Sequence, residues 1–104
     1  MIETIFKLSK SEEKLIEKVI HDENIHYNHM ILNKNEGLPL HSTNSNVYMT
    51  VVKGRLSIKL GDQEPHEYEE GTILKLPIDI EMDAKNLWDE QLELIVVKAP
   101  APTK

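Results

Sequence analysis

Apolar and polar residues alternate at every second position over several short runs of this chain. Leu56, Ile58 and Leu60 alternate with Arg55, Ser57 and Lys59, the pattern of a strand with one wet face. Val47 to Val52 (VYMTVV) and Leu92 to Lys98 (LELIVVK) are dense in β-branched and aromatic residues and predict two further strands. His66 to Tyr68, Thr72 to Leu76 and Ile78 to Ala84 read as shorter ones. Turn signals stand between them at Lys53-Gly54, Gly61-Asp62, Glu69-Glu70-Gly71, Pro77 and Ala99-Pro100. Asn33 to Asn46 and Asn86 to Glu90, which carries Trp88, read as loops. Short strands at regular spacing with turns between them predict an all-β sandwich or barrel.

The first third is less clear. Residues 1–13 read as an arm. Beyond it, Leu15, Ile16, Val19 and Ile20 sit at helical spacing behind Ser9 and Ser11, two candidate N-caps. The same residues also read as a strand from Lys14 to Ile20, a turn at Asp22-Glu23-Asn24, and a partner strand from Ile25 to Leu32. The local pattern alone favours the helix for the first half.

Composition narrows the function classes. A chain of 104 residues holds one core. Its net charge of −6, from 12 basic and 18 acidic residues without a basic cluster, argues against a nucleic-acid partner. No apolar run approaches a membrane span, and the amino terminus lacks the apolar core of a secretory signal. The absence of cysteine excludes disulfides, thiolate metal sites and cysteine nucleophiles, and fits a cytoplasmic address. No serine lies in a Gly-x-Ser-x-Gly turn, so a nucleophilic triad is unsupported.

The stretch from Gly37 to Asn86 resembles the two motifs of the cupin superfamily. In that family the first motif reads Gly, five residues, His-x-His, three or four residues, Glu, six residues, Gly. With Gly54 as the closing glycine, Val47 falls at the Glu position, Thr43 at the second His and His41 at the first. Gly37 stands three residues before His41 rather than five. In the second motif Gly71, Pro77 and Asn86 match in register, while Asp79 replaces a glycine and Met82 replaces the third His. The resemblance implies a double-stranded β-helix, or jelly-roll barrel, over residues 37–100 of a single cupin domain. It also implies that residues 14–32 are an edge hairpin, because such barrels commonly add strands at an uncovered edge.

The family also orients the interior. Its metal Glu points inward, so Val47, Met49 and Val51 are expected inside, with Met82, Ile80 and Ala84. Glu81 and Asp83 are then outside. On Ile25 to Leu32 the odd face is the more apolar, which places Tyr27 and His29 inside. His26 and His29 would face opposite sides of that strand and could not share a metal. The residues expected around a ligand are thus Tyr27, His29, His41, Val47, Met49, Met82 and Asn86.

Cupin metals are held by three His and one Glu, a set suited to iron, manganese, nickel or zinc. Only His41 remains of that set here. A glutamate at position 47 without a cation would be a buried unpaired carboxylate, so valine and methionine at the vacated positions make joint sense. The leading expectation is a metal-free cupin that binds a small, partly apolar molecule in the barrel, without cofactor, paired as a homodimer through edge strands. The alternative is an enzyme. It would be an isomerase or cyclase with His29 and His41 as acid and base, or a dioxygenase-like oxidoreductase holding one transition-metal ion on a displaced His29, His41 and Met82 set. A third reading is a structural role with the barrel closed by side chains.

Overall fold

A computed structural model describes residues 1–103 of the chain. The alternating runs become nine strands, with no helix among the described residues: β1 Leu15–His21, β2 His26–Leu32, β3 His41–Ser42, β4 Val47–Lys53, β5 Arg55–Leu60, β6 His66–Glu69, β7 Ile73–Leu76, β8 Glu81–Lys85 and β9 Leu92–Lys98. They form a five-stranded sheet in the order β1-β2-β9-β4-β7 and a four-stranded sheet in the order β3-β8-β5-β6. This is the expected all-β jelly roll. The expected loop from 33 to 46 contains one short strand, β3, which pairs with β8.

The hairpin reading of the first third holds, and the helix does not form. Asp22 closes the turn: its Oδ1 accepts from the amides of Asn24 (2.8 Å) and Ile25 (3.0 Å), an Asx turn. His21 and His26 are thereby set opposite each other at the tip. A bulge between Lys18 and Ile20 shifts the register by one residue, so that Lys18 and His21, three apart, lie on the same face.

The core lies between the sheets. Val47, Met49 and Val51 of β4, Leu92, Leu94 and Val96 of β9, Leu56 and Ile58 of β5, and Met82 and Ala84 of β8 all belong to one buried cluster. Each such large side chain contributes roughly 1.5–3 kcal/mol by leaving water. Glu81 is exposed and Asp83 half-buried, on the face opposite Met82, as expected. Ile80 is only half-buried and precedes β8, because Pro77 to Ile80 form a turn with Asp79 at φ 66° rather than the start of a strand. The β4–β5 turn packs tightly on the start of β9. Gly54 has φ 84°, and a Cβ there would stand 2.5 Å from the Gln91 carbonyl oxygen.

The face assignment of β2 is reversed. Met30 and Leu32 enter the core cluster, so the odd residues, Tyr27, His29 and Ile31, turn to the outside of the five-stranded sheet. That outer face is not wet. The arm before β1 crosses it: the Ser9 amide and hydroxyl donate to the Glu17 carboxylate, Asn33 Nδ2 donates to the Glu12 carbonyl, and Gln91 Nε2 to that of Ser11. Ile31 and Ile95 are buried outside the central cluster, at 3% and 8% exposure. With both faces of β2 dry, apolar content could not tell inside from outside.

Candidate functional site

The end of the barrel where the resemblance puts a metal is built from six strands, β4, β9 and β7 of one sheet and β8, β5 and β3 of the other. The β4–β9 register sets Lys98 opposite Val47, and the β4–β7 register sets Leu76 on its other side. On the second sheet Met82 is flanked by Leu60 and His41. Val47 and Met82 are 1% and 3% exposed, packed in the core. Thr43 is buried and spent on structure: its hydroxyl donates to the Pro77 carbonyl (2.6 Å) and accepts from the Ile80 amide (3.0 Å). His41 is exposed, and its Nδ1 donates to the Pro39 carbonyl at 2.7 Å. A hydrocarbon, a thioether, an engaged hydroxyl and one exposed imidazole do not fit a transition metal of the three-His, one-Glu type. Among the described residues no group of three or more His, Asp or Glu is arranged to hold a cation.

The other expected ligand residues are dispersed. Met49 is in the core. Asn86 is fully buried, and its amide is committed: Nδ2 donates to the carbonyls of Leu32 (3.0 Å) and Glu90 (2.8 Å), and Oδ1 accepts from the Trp88 amide (2.9 Å). It holds the β8–β9 loop and offers nothing to a ligand. Trp88 in that loop lies under the Arg55 guanidinium. Tyr27 faces outward from β2, opposite Val97. His29 and His41 lie on different sheets, so neither the acid–base pair nor the displaced His29–His41–Met82 set assembles.

His29 has a different environment. Its Nδ1 stands 2.9 Å from Glu17 Oε1 and its Nε2 2.6 Å from Glu93 Oε2, with the ring fully buried. Both partners are acceptors when ionised, so each contact requires a proton between nitrogen and oxygen. The Glu17 carboxyl is held down at about 2, by the Ser9 hydroxyl first and then by His29. This is the oriented His–carboxylate arrangement that acid–base chemistry would need. Yet both ring nitrogens are engaged beneath the arm, and no substrate can reach them. Leu92, Leu94 and Val96 win the inner face of β9, which turns Glu93 outward to His29.

Sequence reasoning missed a second cluster at the same barrel end. Lys18 pairs with Asn28, His21 with His26, and His26 with Lys98, so these side chains share the face that carries Met30 further along β2. The His21 and His26 rings stack with centroids 3.8 Å apart. His21 Nε2 donates to Asn28 Oδ1 at 3.0 Å. The signal was available: a turn closed by Asp22 fixes which residues oppose each other across it.

Four surface clefts are lined by polar and apolar residues together, and none of them includes an expected ligand residue. One of about 200 Å³ lies at this barrel end, between Asn44, Ser45, Asn46, Ile78 and the segment from Pro100 to Thr103.

No protein-family model matches the chain. It is 38% identical over 105 residues to an uncharacterised protein, MJ0764, of Methanocaldococcus jannaschii, covering 100% of this chain and 90% of the relative. The crystal structure of that relative, described as an RmlC-like cupin family protein with a double-stranded β-helix fold, superposes with a TM-score of 0.94 over 98% of this chain and 94% of that one. A double-stranded β-helix domain protein from Klebsiella pneumoniae matches with a TM-score of 0.78 at 16% identity, over 90% of this chain and 83% of that one. A cupin 2 conserved barrel domain protein from Salinispora arenicola gives 0.66 at 15%, over 75% and 64%. The latter two show likeness of fold alone. No helix of the structure is long and apolar enough to cross a membrane.

Proposed function

The chain belongs to the RmlC-like cupin family, and on that premise we propose that it works without a metal, as a binding module for a small molecule at the end of its barrel. The observation that carries this reading is the fate of the four ligand positions: Val47 and Met82 packed in the core, Thr43 spent on the Pro77 turn, His41 exposed on the Pro39 carbonyl. With the interior filled, the expected site moves from inside the barrel to its rim. The 200 Å³ cleft there combines Asn44, Ser45 and Asn46 with Ile78 and Pro100, which suits a partly apolar molecule. It is below the roughly 300–1,000 Å³ of drug-sized pockets, so the ligand would be a small metabolite.

The same reading takes the protein as cytoplasmic, in keeping with its cysteine-free composition, and without a nucleic-acid partner at net charge −6. It takes the working form as a homodimer. The exposed Ile2, Ile5 and Phe6 of the arm support that, as does Ile73 on the edge strand β7.

A thermal-shift screen of small metabolites, run with and without chelator, tests the proposal. A metabolite that raises Tm equally in both conditions is expected. Stabilisation that disappears with chelator, or none from any compound, would overturn it.

A further inference from the structure

We propose that the barrel end binds a doubly charged oxyanion group, such as the phosphate of a small metabolite, between Lys18, Lys98 and the stacked pair His21 and His26. This rests on the reading of that end as a binding site and adds the chemistry of what is bound.

The chain as a whole is acidic, at −6, yet two lysines and two histidines neighbour one another here. Lys98 on β9, His26 on β2, and Lys18 and His21 on β1 follow one another across three adjacent strands on one face. Lys18 and Lys98 lie on the same face as the two imidazoles, each close enough to act on His26. Two ammonium groups so placed repel, and would repel a protonated imidazole, unless something anionic joins them. Asp22, the acidic residue of the turn, does not balance them: its Oδ1 is taken by the amides of Asn24 and Ile25, and its influence on His26 is the smallest of those acting there. The response of the groups agrees with the geometry. His26 is held below the usual imidazole value, by burial first and then by His21, Lys98 and Lys18. Lys98 is held below the usual ammonium value by burial and by Lys18.

The cluster is also placed for use. Lys98 stands opposite Val47, beside Asn46, which lines the cleft. An anion on the lysines would leave the rest of a metabolite at that cleft. Lys18 and His21 are exposed and His26 half-buried, so an anion can reach them without any opening motion. His26, hard to charge in the free protein, takes up a proton when an anion arrives, which ties affinity to pH.

The test is a sulfate titration of the intact chain at constant ionic strength against chloride, followed through the imidazole resonances. Sulfate keeps its charge across the range used. Saturable shifts are expected at His21 and His26 and not at His29, His41 or His66. Binding should be tighter at pH 6 than at pH 8, by up to about tenfold per pH unit as uptake of one proton allows. Acetate, a monoanion, should bind at least about tenfold more weakly than sulfate. Lys98→Met should remove the saturable phase, and the exposed Lys18→Met provides the same test if the first variant folds poorly. Shifts at all five histidines alike, shifts that never saturate, or equal binding by either variant would overturn the inference. If sulfate fails while a metabolite still stabilises the chelated protein, only this inference falls; failure of the metabolite screen removes the proposed function instead.

Discussion

Lys98 stands directly opposite Val47 across the β4–β9 ladder. The position where metal-binding cupins carry an inward glutamate thus holds a hydrocarbon, and the neighbouring strand supplies a cation of the protein's own. The interior at this end carries no charge, and the nearest charged group across the ladder is an ammonium at the rim.

Restoring the carboxylate alone should therefore be costly. Val47→Glu is expected to destabilise the protein by about 2 kcal/mol or more, because at this fully buried position the carboxylate loses more by leaving water than the half-buried Lys98 across the ladder returns. Urea unfolding with an unchanged m-value measures it. A loss under about 1 kcal/mol would mean that the side chain reaches water and that the packed end described here is wrong.

His29 is a structural bridge on the outer face. Replacing it with alanine strands Glu17 and Glu93 against each other and should cost about 2–4 kcal/mol. Ligand binding at the barrel end should be unchanged in the folded variant, as judged by the same titration as the parent. A folded His29→Ala protein that has lost binding would return His29 to the site.

The arm should release in acid. Glu17 is depressed to about 2 from an ordinary 4.5. A depressed carboxyl contributes its full stability above the ordinary value and loses it as pH falls toward the depressed one. Amide exchange at Ser9 should accordingly stay protected above about pH 4.5 and lose protection between there and pH 2. Ser9→Ala, which removes the largest cause, should move that loss to higher pH. Release at neutral pH would contradict the arrangement.

Asn86 makes three hydrogen bonds from a fully buried amide. Asn86→Ala should cost about 2–3 kcal/mol by leaving buried carbonyls unpaired. Asn86→Asp should be no better, since a carboxylate would face the Leu32 and Glu90 carbonyls. A neutral effect in chemical denaturation would contradict the role given to it.

These particulars show what was legible. Val47 to Lys53, Arg55 to Leu60 and Leu92 to Lys98 were readable because one face is core and composition says so. The resemblance's glycine and proline intervals turned Val47 and Met82 inward, and both are buried in the core. The orientation of β2 was not readable. His29 is covered by an arm whose hydrogen bonds come from Ser9 and Ser11, ordinary surface residues in a sequence. Nor does any local pattern say that His41 would be held outward by the carbonyl of Pro39. The His21–His26 stack lay between the two: invisible while residues 14–20 could be a helix, and a direct consequence of the hairpin once the turn at Asp22 is fixed.

Elemental analysis of the protein purified without chelator, then repeated after incubation with manganese, iron, nickel and zinc, tests the metal-free account most directly. The account predicts that no transition metal approaches one atom per chain in either preparation. One tightly held atom per chain, lost on replacing His41 or Met82, would contradict it.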